Sequence, residues 1–416
     1  MPRRFYAPLA SRFAALLLTG ALAACAGGSR PAPVVNPLAN PQMKPAPITA
    51  VTATPMPAPG KETVKVALLL PLSGPNADLG KAMLEAAQLA LFTTGSDKLT
   101  LIPRDTTGNA GGAADAARSV IADGAKLILG PLIADEVDAV KPIAQAANVN
   151  IIAFSTKTEI AGGNVFLIGF LPKQEVAREV SYARDQGLQK FAALAPNTPY
   201  GHLMGDALKD VASTGGASLA RVEYFDPRLA DISASIKHLL PASAAANPAA
   251  GGAAAGLQFD ALLLPEGGDQ LKQIAAQLKT AGIDTTRTRF LGSGLWDDPT
   301  IVNDPDLAGG WFAASSPDIR HDFQRRYENA YHHPPPRLAS LAFDAAALAA
   351  ALSKNDSADP FSAQAIQNPS GFTGVDGLFR FGVDGLVQRG LAVLEVDPGG
   401  DKVVSPAPQT FQNFVN

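Results

Sequence analysis

Short, wholly apolar runs alternate with stretches in which apolar residues recur every three or four positions. The pattern begins at Val64. Lys65-Val66-Ala67-Leu68-Leu69-Leu70 stops at Pro71, and Lys81 to Phe92 then places Met83, Leu84, Ala87 and Leu91 on one helical face. Leu99-Thr100-Leu101-Ile102 precedes a helical stretch from Ala113 to Asp123. Lys126-Leu127-Ile128-Leu129 ends at Gly130-Pro131, before a helix with Asp135 and Glu136 in its first turn, where the dipole favours acids. Asn150 to Phe154 is the next buried run. Strands that are apolar throughout and alternate with amphipathic helices predict parallel sheets covered on both faces.

The alternation restarts after Pro172. Helices are expected at Gln174–Gln186, Gly201–Val211, Ile232–Leu240 and Leu271–Lys279, with strands at Phe191–Leu194, Leu219–Phe225, Phe259–Leu264 and Arg289–Leu291. Pro241 to Gly256 is low-complexity Ala/Gly/Pro and reads as a disordered surface insertion. Two helices follow, near Asp318–Tyr331 and Leu338–Leu352. Asp384-Gly385 then lies between Gly377–Phe381 and Gly390–Val396, a hairpin signal. The fold class is α/β, with two lobes and a terminal hairpin.

The first 60 residues differ in kind. Arg3 and Arg4 precede a short apolar run and small residues, the layout of a secretory signal peptide over residues 1–24. The run is too short to cross a bilayer core of about 30 Å as a stable helix. Leu22-Ala23-Ala24-Cys25 resembles the bacterial lipobox, which makes Cys25 the expected site of lipid attachment. It is also the single cysteine, so a disulfide within the chain is excluded. Residues 25–61 read as a tether: residues 26–60 hold nine prolines and only Arg30 and Lys44 as charges. At roughly 3.1 Å per residue such a segment reaches about 100 Å.

Charge narrows the partners. The chain carries 34 basic and 38 acidic side chains, and Arg3, Arg4 and Arg12 leave with a signal peptide. No basic footprint for nucleic acid remains. Nothing calls for a cofactor or metal. Gly74 to Lys81 fails as a phosphate loop because Ala82 stands where a hydroxyl is required. Gly292-Ser293-Gly294 meets Asp297 where a dinucleotide loop needs its third glycine. His332 and His333 are adjacent, so their side chains diverge and read as a solvated loop rather than a metal pair. No Gly-x-Ser-x-Gly nucleophile elbow is present, and no enzyme is expected.

Val66 to Pro75, followed by Leu79-Gly80, resembles the opening of the type I periplasmic solute-binding family, which includes the branched-chain amino-acid receptors. Asp105-Thr106, Asp123-Gly124-Ala125, Gly130-Pro131, Phe154-Ser155-Thr156, Tyr200-Gly201 and Phe379-Arg380-Phe381 match in order. The resemblance implies two lobes joined by crossings near Leu171, Ala314 and Thr373. The first lobe then holds 62–172 and 315–372, and the second 173–314 and 373–416. Ligands of open parallel sheets sit outside the carboxyl ends of the strands. Ser73, Gly74, Ser155 and Thr156 from one lobe, and Tyr200 and Gly267 from the other, are therefore the candidate ligand contacts.

Two departures bear on the ligand. Family amino-acid receptors hold the carboxylate with a serine where Ala134 stands, and the ammonium with an acid where Gly294 stands. A buried ammonium without a counter-charge costs several kcal/mol, so a zwitterion requires Asp297 or Glu266 to substitute. With its lipobox and long tether, the chain is most similar to the penicillin-binding protein activators, lipoproteins that stimulate peptidoglycan synthases. That resemblance implies a peptidoglycan synthase as partner and a lipid anchor at the periplasmic face of the outer membrane of a Gram-negative bacterium. The alternative is the substrate-binding lipoprotein of an ABC importer, with a permease as partner and a small molecule in the cleft.

Overall fold

A computed structural model of the chain describes residues 63–240, 257–355 and 357–411. The expected signal peptide, Cys25, the tether and the insertion at 241–256 lie outside the described residues.

The first lobe is built on β1 (Val64–Leu70), β2 (Leu99–Asp105), β3 (Leu127–Leu129), β4 (Asn150–Ala153) and β5 (Val165–Leu167), in the order β2-β1-β3-β4-β5. All four pairings are parallel. The apolar run of β1 follows from burial on both sides. Val66, Leu68 and Leu70 enter one core with Met83 and Ala87 of α1 (Ala77–Thr94), while Ala67 and Leu69 enter the other. That second core is closed by α2 (Ala110–Ala122) and α3 (Ala134–Ala146). The helix Ala339–Ser353 is alanine-rich and buried almost all round, because it lies against α1 within the first core.

The second lobe repeats this winding. It carries α4 (Pro172–Asp185), β6 (Lys190–Pro196), α5 (Pro199–Gly215), β7 (Ser218–Phe225), β8 (Ala261–Leu263), β9 (Arg289–Leu291) and β10 (Trp311–Ala314). Its parallel strands run in the order β10-β9-β8-β6-β7. Here β14 (Ala392–Glu395) pairs antiparallel with β10, and β15 (Lys402–Ser405) pairs antiparallel with β14.

The last third corrects the expected boundary. β11 (Phe372–Gly374), β12 (Gly377–Phe381) and β13 (Val387–Arg389) form a separate antiparallel sheet. Phe379, Phe381 and Val387 pack into the first lobe's core, so the chain crosses to the second lobe at Gly390-Leu391 and not at Thr373. Asp384-Gly385 does turn a hairpin, but its second strand is β13. The stretch expected to fill that place, Gly390–Val396, instead extends the other sheet.

Buried charges tie the crossings together. Asp376 accepts from Arg337 at 2.9 Å and from the Ser315 hydroxyl at 3.0 Å, beside the second crossing. Arg389, 4% exposed, donates to the Ile168 carbonyl at 2.7 Å beside the first crossing. It also lies 3.8 Å from Asp344. Attraction among such buried groups offsets the cost of removing them from water only while every partner is present.

Candidate functional site

Both sheets direct the carboxyl ends of their parallel strands at one cleft, and a cavity of about 510 Å³ lies there. Its surface is mostly apolar. Leu132, Phe154, Phe170, Leu338 and Leu341 contribute from the first lobe, and Leu295 from the second. Small residues, Ala134, Gly294, Ala313 and Ala314, leave the space open. Mostly apolar walls with a few placed polar groups are the usual character of small-molecule sites.

The first-lobe wall is hydroxylic and amide-rich. Ser155 and Thr156 follow β4 and line the cavity. The Lys157 N–H donates to Ser155 Oγ at 3.2 Å, which fixes the turn and leaves the hydroxyl hydrogen for another acceptor. Ala134 opens α3, where the Ala134 and Asp135 amides precede the first helical hydrogen bond and the Glu136 and Val137 amides share the Ile133 carbonyl. Glu136 accepts from the Ile133 N–H at 3.4 Å and steadies that turn. Lys157 stands at the rim, 3.4 Å from Asp138.

The second-lobe wall is acidic. Glu175 and Glu179 lie one turn apart on α4, beside Val176 and Val180 of its apolar stripe, and are 7% and 1% exposed. The Gly294 N–H donates to Glu175 Oε2 at 3.1 Å, and the Ala313 N–H to Glu179 Oε1 at 2.9 Å. Burial pushes the Glu175 carboxyl up to about 7, against the Gly294 amide and the positive charges of Arg337 and Arg389. Glu179 is also held well above the usual carboxylate range, chiefly by burial and against the Ala313 amide, with Glu175 adding to the rise. Tyr200 starts α5, where Thr198 caps the helix by accepting from the Gly201 N–H at 3.1 Å. Burial and the nearby Glu175 raise its phenol. At the hinge end Arg337 lies 3.9 Å over the Phe170 ring.

Three expected contacts, Ser155, Thr156 and Tyr200, line this cavity, and three do not. Ser73 and Gly74 are exposed, in a loop drawn to the end of β2 because the Leu72 and Ser73 amides donate to Asp105 Oδ1 at 2.9 and 3.3 Å. Gly267 lies behind the wall, where a Cβ would come 3.1 Å from Leu295 Cβ. The two substitute acids are otherwise engaged. Asp297 pairs with Arg320 and lies 3.9 Å from Arg337, and Glu266 accepts from the Gly267 N–H at 3.2 Å. Glu175 and Arg337 were not legible as cavity residues. Each reads in sequence as an ordinary charge near a helix start.

Among the described residues no group of three or more His, Cys, Asp or Glu side chains could hold a metal. No described helix is long and apolar enough to cross a membrane.

A family model described as periplasmic binding protein matches residues 63–401. The solved structures give the same architecture. A putative branched-chain amino acid ABC transporter protein from Rhodospirillum rubrum superposes with a TM-score of 0.70 at 18% identity, covering 82% of this chain and all of that one, 100%. A solute binding protein from R. palustris in complex with benzoate gives 0.58 at 19% identity, over 83% and 97% of the two chains. The substrate binding protein of a branched-chain amino acid transporter from Streptococcus pneumoniae, in complex with isoleucine, gives 0.57 at 18% identity, over 83% and 100%. An uncharacterized protein of Rickettsia prowazekii is 23% identical over 172 residues, 41% of this chain. The chain spans about half the length of that relative, 46%.

Proposed function

Because the chain belongs to the periplasmic binding protein family, we propose that it is an envelope-facing receptor whose two lobes close on a small, mostly apolar solute. The family is one of binding proteins rather than enzymes, and it implies a periplasmic or envelope location. On this reading the protein is the substrate-binding component of an ABC importer, and a permease accepts the closed form. The observation that carries it is the cavity of about 510 Å³ at the carboxyl edges of both sheets, mostly apolar with the hydroxyls of Ser155 and Thr156 on one wall and the carboxyl of Glu175 on the other. Ser155, Thr156 and Tyr200 are the contacts proposed to orient the solute.

Thermal melting of the full chain against amino acids, monocarboxylates, aromatic acids and amines tests this. A ligand at one hundred times its Kd stabilises by about 2.7 kcal/mol. At least one class should raise the melting temperature, and Leu295→Trp, which fills the cavity from its rim, should abolish the rise. No shift from any class, or an equal shift in Leu295→Trp, contradicts the receptor reading.

A second reading is favoured by the Leu22-Ala23-Ala24-Cys25 motif and the nine prolines that follow. A lipid-anchored body on a tether of about 100 Å suits a regulator that crosses the periplasm from the outer membrane to a peptidoglycan synthase. Affinity capture from detergent-solubilised envelope separates the two readings by whether a synthase or a permease is retained.

A further inference from the structure

The second-lobe wall gathers carboxyls without a dedicated positive partner. Glu175 and Glu179 are buried on one face of α4, and Glu266 is half-buried beside Gly267. The cations nearest Glu175 are committed elsewhere: Arg337 to Asp376 at 2.9 Å, and Arg389 to the Ile168 carbonyl at 2.7 Å. Of the three glutamates only Glu175 lines the cavity. Its Oε2 is taken by the Gly294 amide. Its Oε1 is turned to the space above Gly294, where a Cβ would come within 3.0 Å of it. Any larger residue at 294 would cover that oxygen or displace it. The opposite wall is different in kind, with the hydroxyls of Ser155 and Thr156 and the cations Lys157 and Arg337.

We propose that Glu175 is the specificity-determining residue of the cleft: its Oε1 receives a protonated amine of the solute, and Gly294 keeps that oxygen open. This rests on the receptor reading and names the chemistry its ligand carries. An ammonium offsets the repulsion among the carboxyls, whereas an apolar group would strip Glu175 of water and give nothing back. On this assignment the absence of an acid at position 294 no longer weighs against an amine-bearing ligand. The acid comes from α4 and occupies the room the glycine leaves.

Calorimetry on the full chain with leucine, its des-amino analogue 4-methylpentanoate and its decarboxylated analogue 3-methylbutylamine tests the assignment. The two amines should bind at least tenfold more tightly than 4-methylpentanoate. Glu175→Gln should erase that preference by weakening both amines. Gly294→Ala should do the same through the neighbouring side chain, so the assignment does not depend on one variant. Amine binding near neutral pH should release protons, seen as heats that differ between phosphate and Tris, and the release should vanish in Glu175→Gln. If 4-methylpentanoate binds as tightly as leucine and Glu175→Gln alters neither, the assignment is overturned while the receptor reading stands. Heat from none of the three also overturns it, and the broader melting screen then decides the receptor reading alone.

Discussion

A carboxyl that folding carries into an apolar wall makes stability depend on pH in the opposite sense to a salt-bridged one. Glu175 is raised from 4.5 to about 7, chiefly by burial. Between those values the native state binds more protons than the unfolded chain, so the contribution of Glu175 to stability falls as pH rises through this window. Above it, the buried charge costs on the order of 3 kcal/mol relative to a neutral carboxyl. Glu175→Gln keeps an acceptor for the Gly294 amide and removes the charge. Denaturant unfolding should find the variant more stable at pH 8 by up to about that amount, with the gain gone near pH 4.5. An equal gain at both pH values would show that Glu175 does not titrate on folding. Ser155, Thr156 and Tyr200 were legible as cavity-lining positions because they sit where strands end and helices begin. Glu175 was not, because the group that holds its carboxyl, the Gly294 amide, lies 119 positions further along.

At the scale of elements, the turn leaving β9 positions Gly294. Trp296 is fully buried, and its Nε1–H donates to the Leu264 carbonyl at 3.1 Å. A Cβ at Gly292 would run into the Trp296 ring, so glycine is required by packing rather than by backbone angle. Gly292→Ala should cost roughly 1–3 kcal/mol through overpacking, seen in thermal melting as a lower midpoint with unchanged circular dichroism at low temperature. A midpoint within experimental error of the parent would mean that the ring has room to move. Elements were readable where both sheet faces are covered, as in β1, whose alternate residues supply two cores. β5 and β10 were missed, although β3, β8 and β9 are no longer than these and were read from their apolar runs. The hairpin was half right: Asp384-Gly385 turns the chain, but alternation alone could not say which sheet the returning strand would join.

For the whole molecule, the repeated winding of the two sheets places their carboxyl edges face to face, and the buried charges at the crossings define where the lobes bend. Asp376, Arg337, Arg389 and Asp344 join the first lobe's last segments to both neighbouring crossings. Losing one member of such a set costs about 3–5 kcal/mol. An exposed pair such as Lys173–Asp210 contributes roughly 0–1 kcal/mol. On the receptor reading, these buried contacts hold the crossings together while the lobes close about them. The two-lobed plan was visible in the order of strands and helices. The third crossing was misplaced because the small sheet β11-β12-β13 is held by contacts with the first core that no local pattern reveals.

Whether the lobes close on a solute is the central claim, and the distance between them reports it directly. Glu159 in the first lobe and Asp269 in the second are both exposed, and Glu159→Cys with Asp269→Cys in a Cys25→Ser background gives the two sole sites for thiol-linked spin labels. Double electron–electron resonance on this protein should show the distance shorten and its distribution narrow when the solute giving the largest melting shift is added to saturation, with no change in Leu295→Trp. An unchanged distribution at saturation, or the same shortening in Leu295→Trp, would contradict binding in the interlobe cleft.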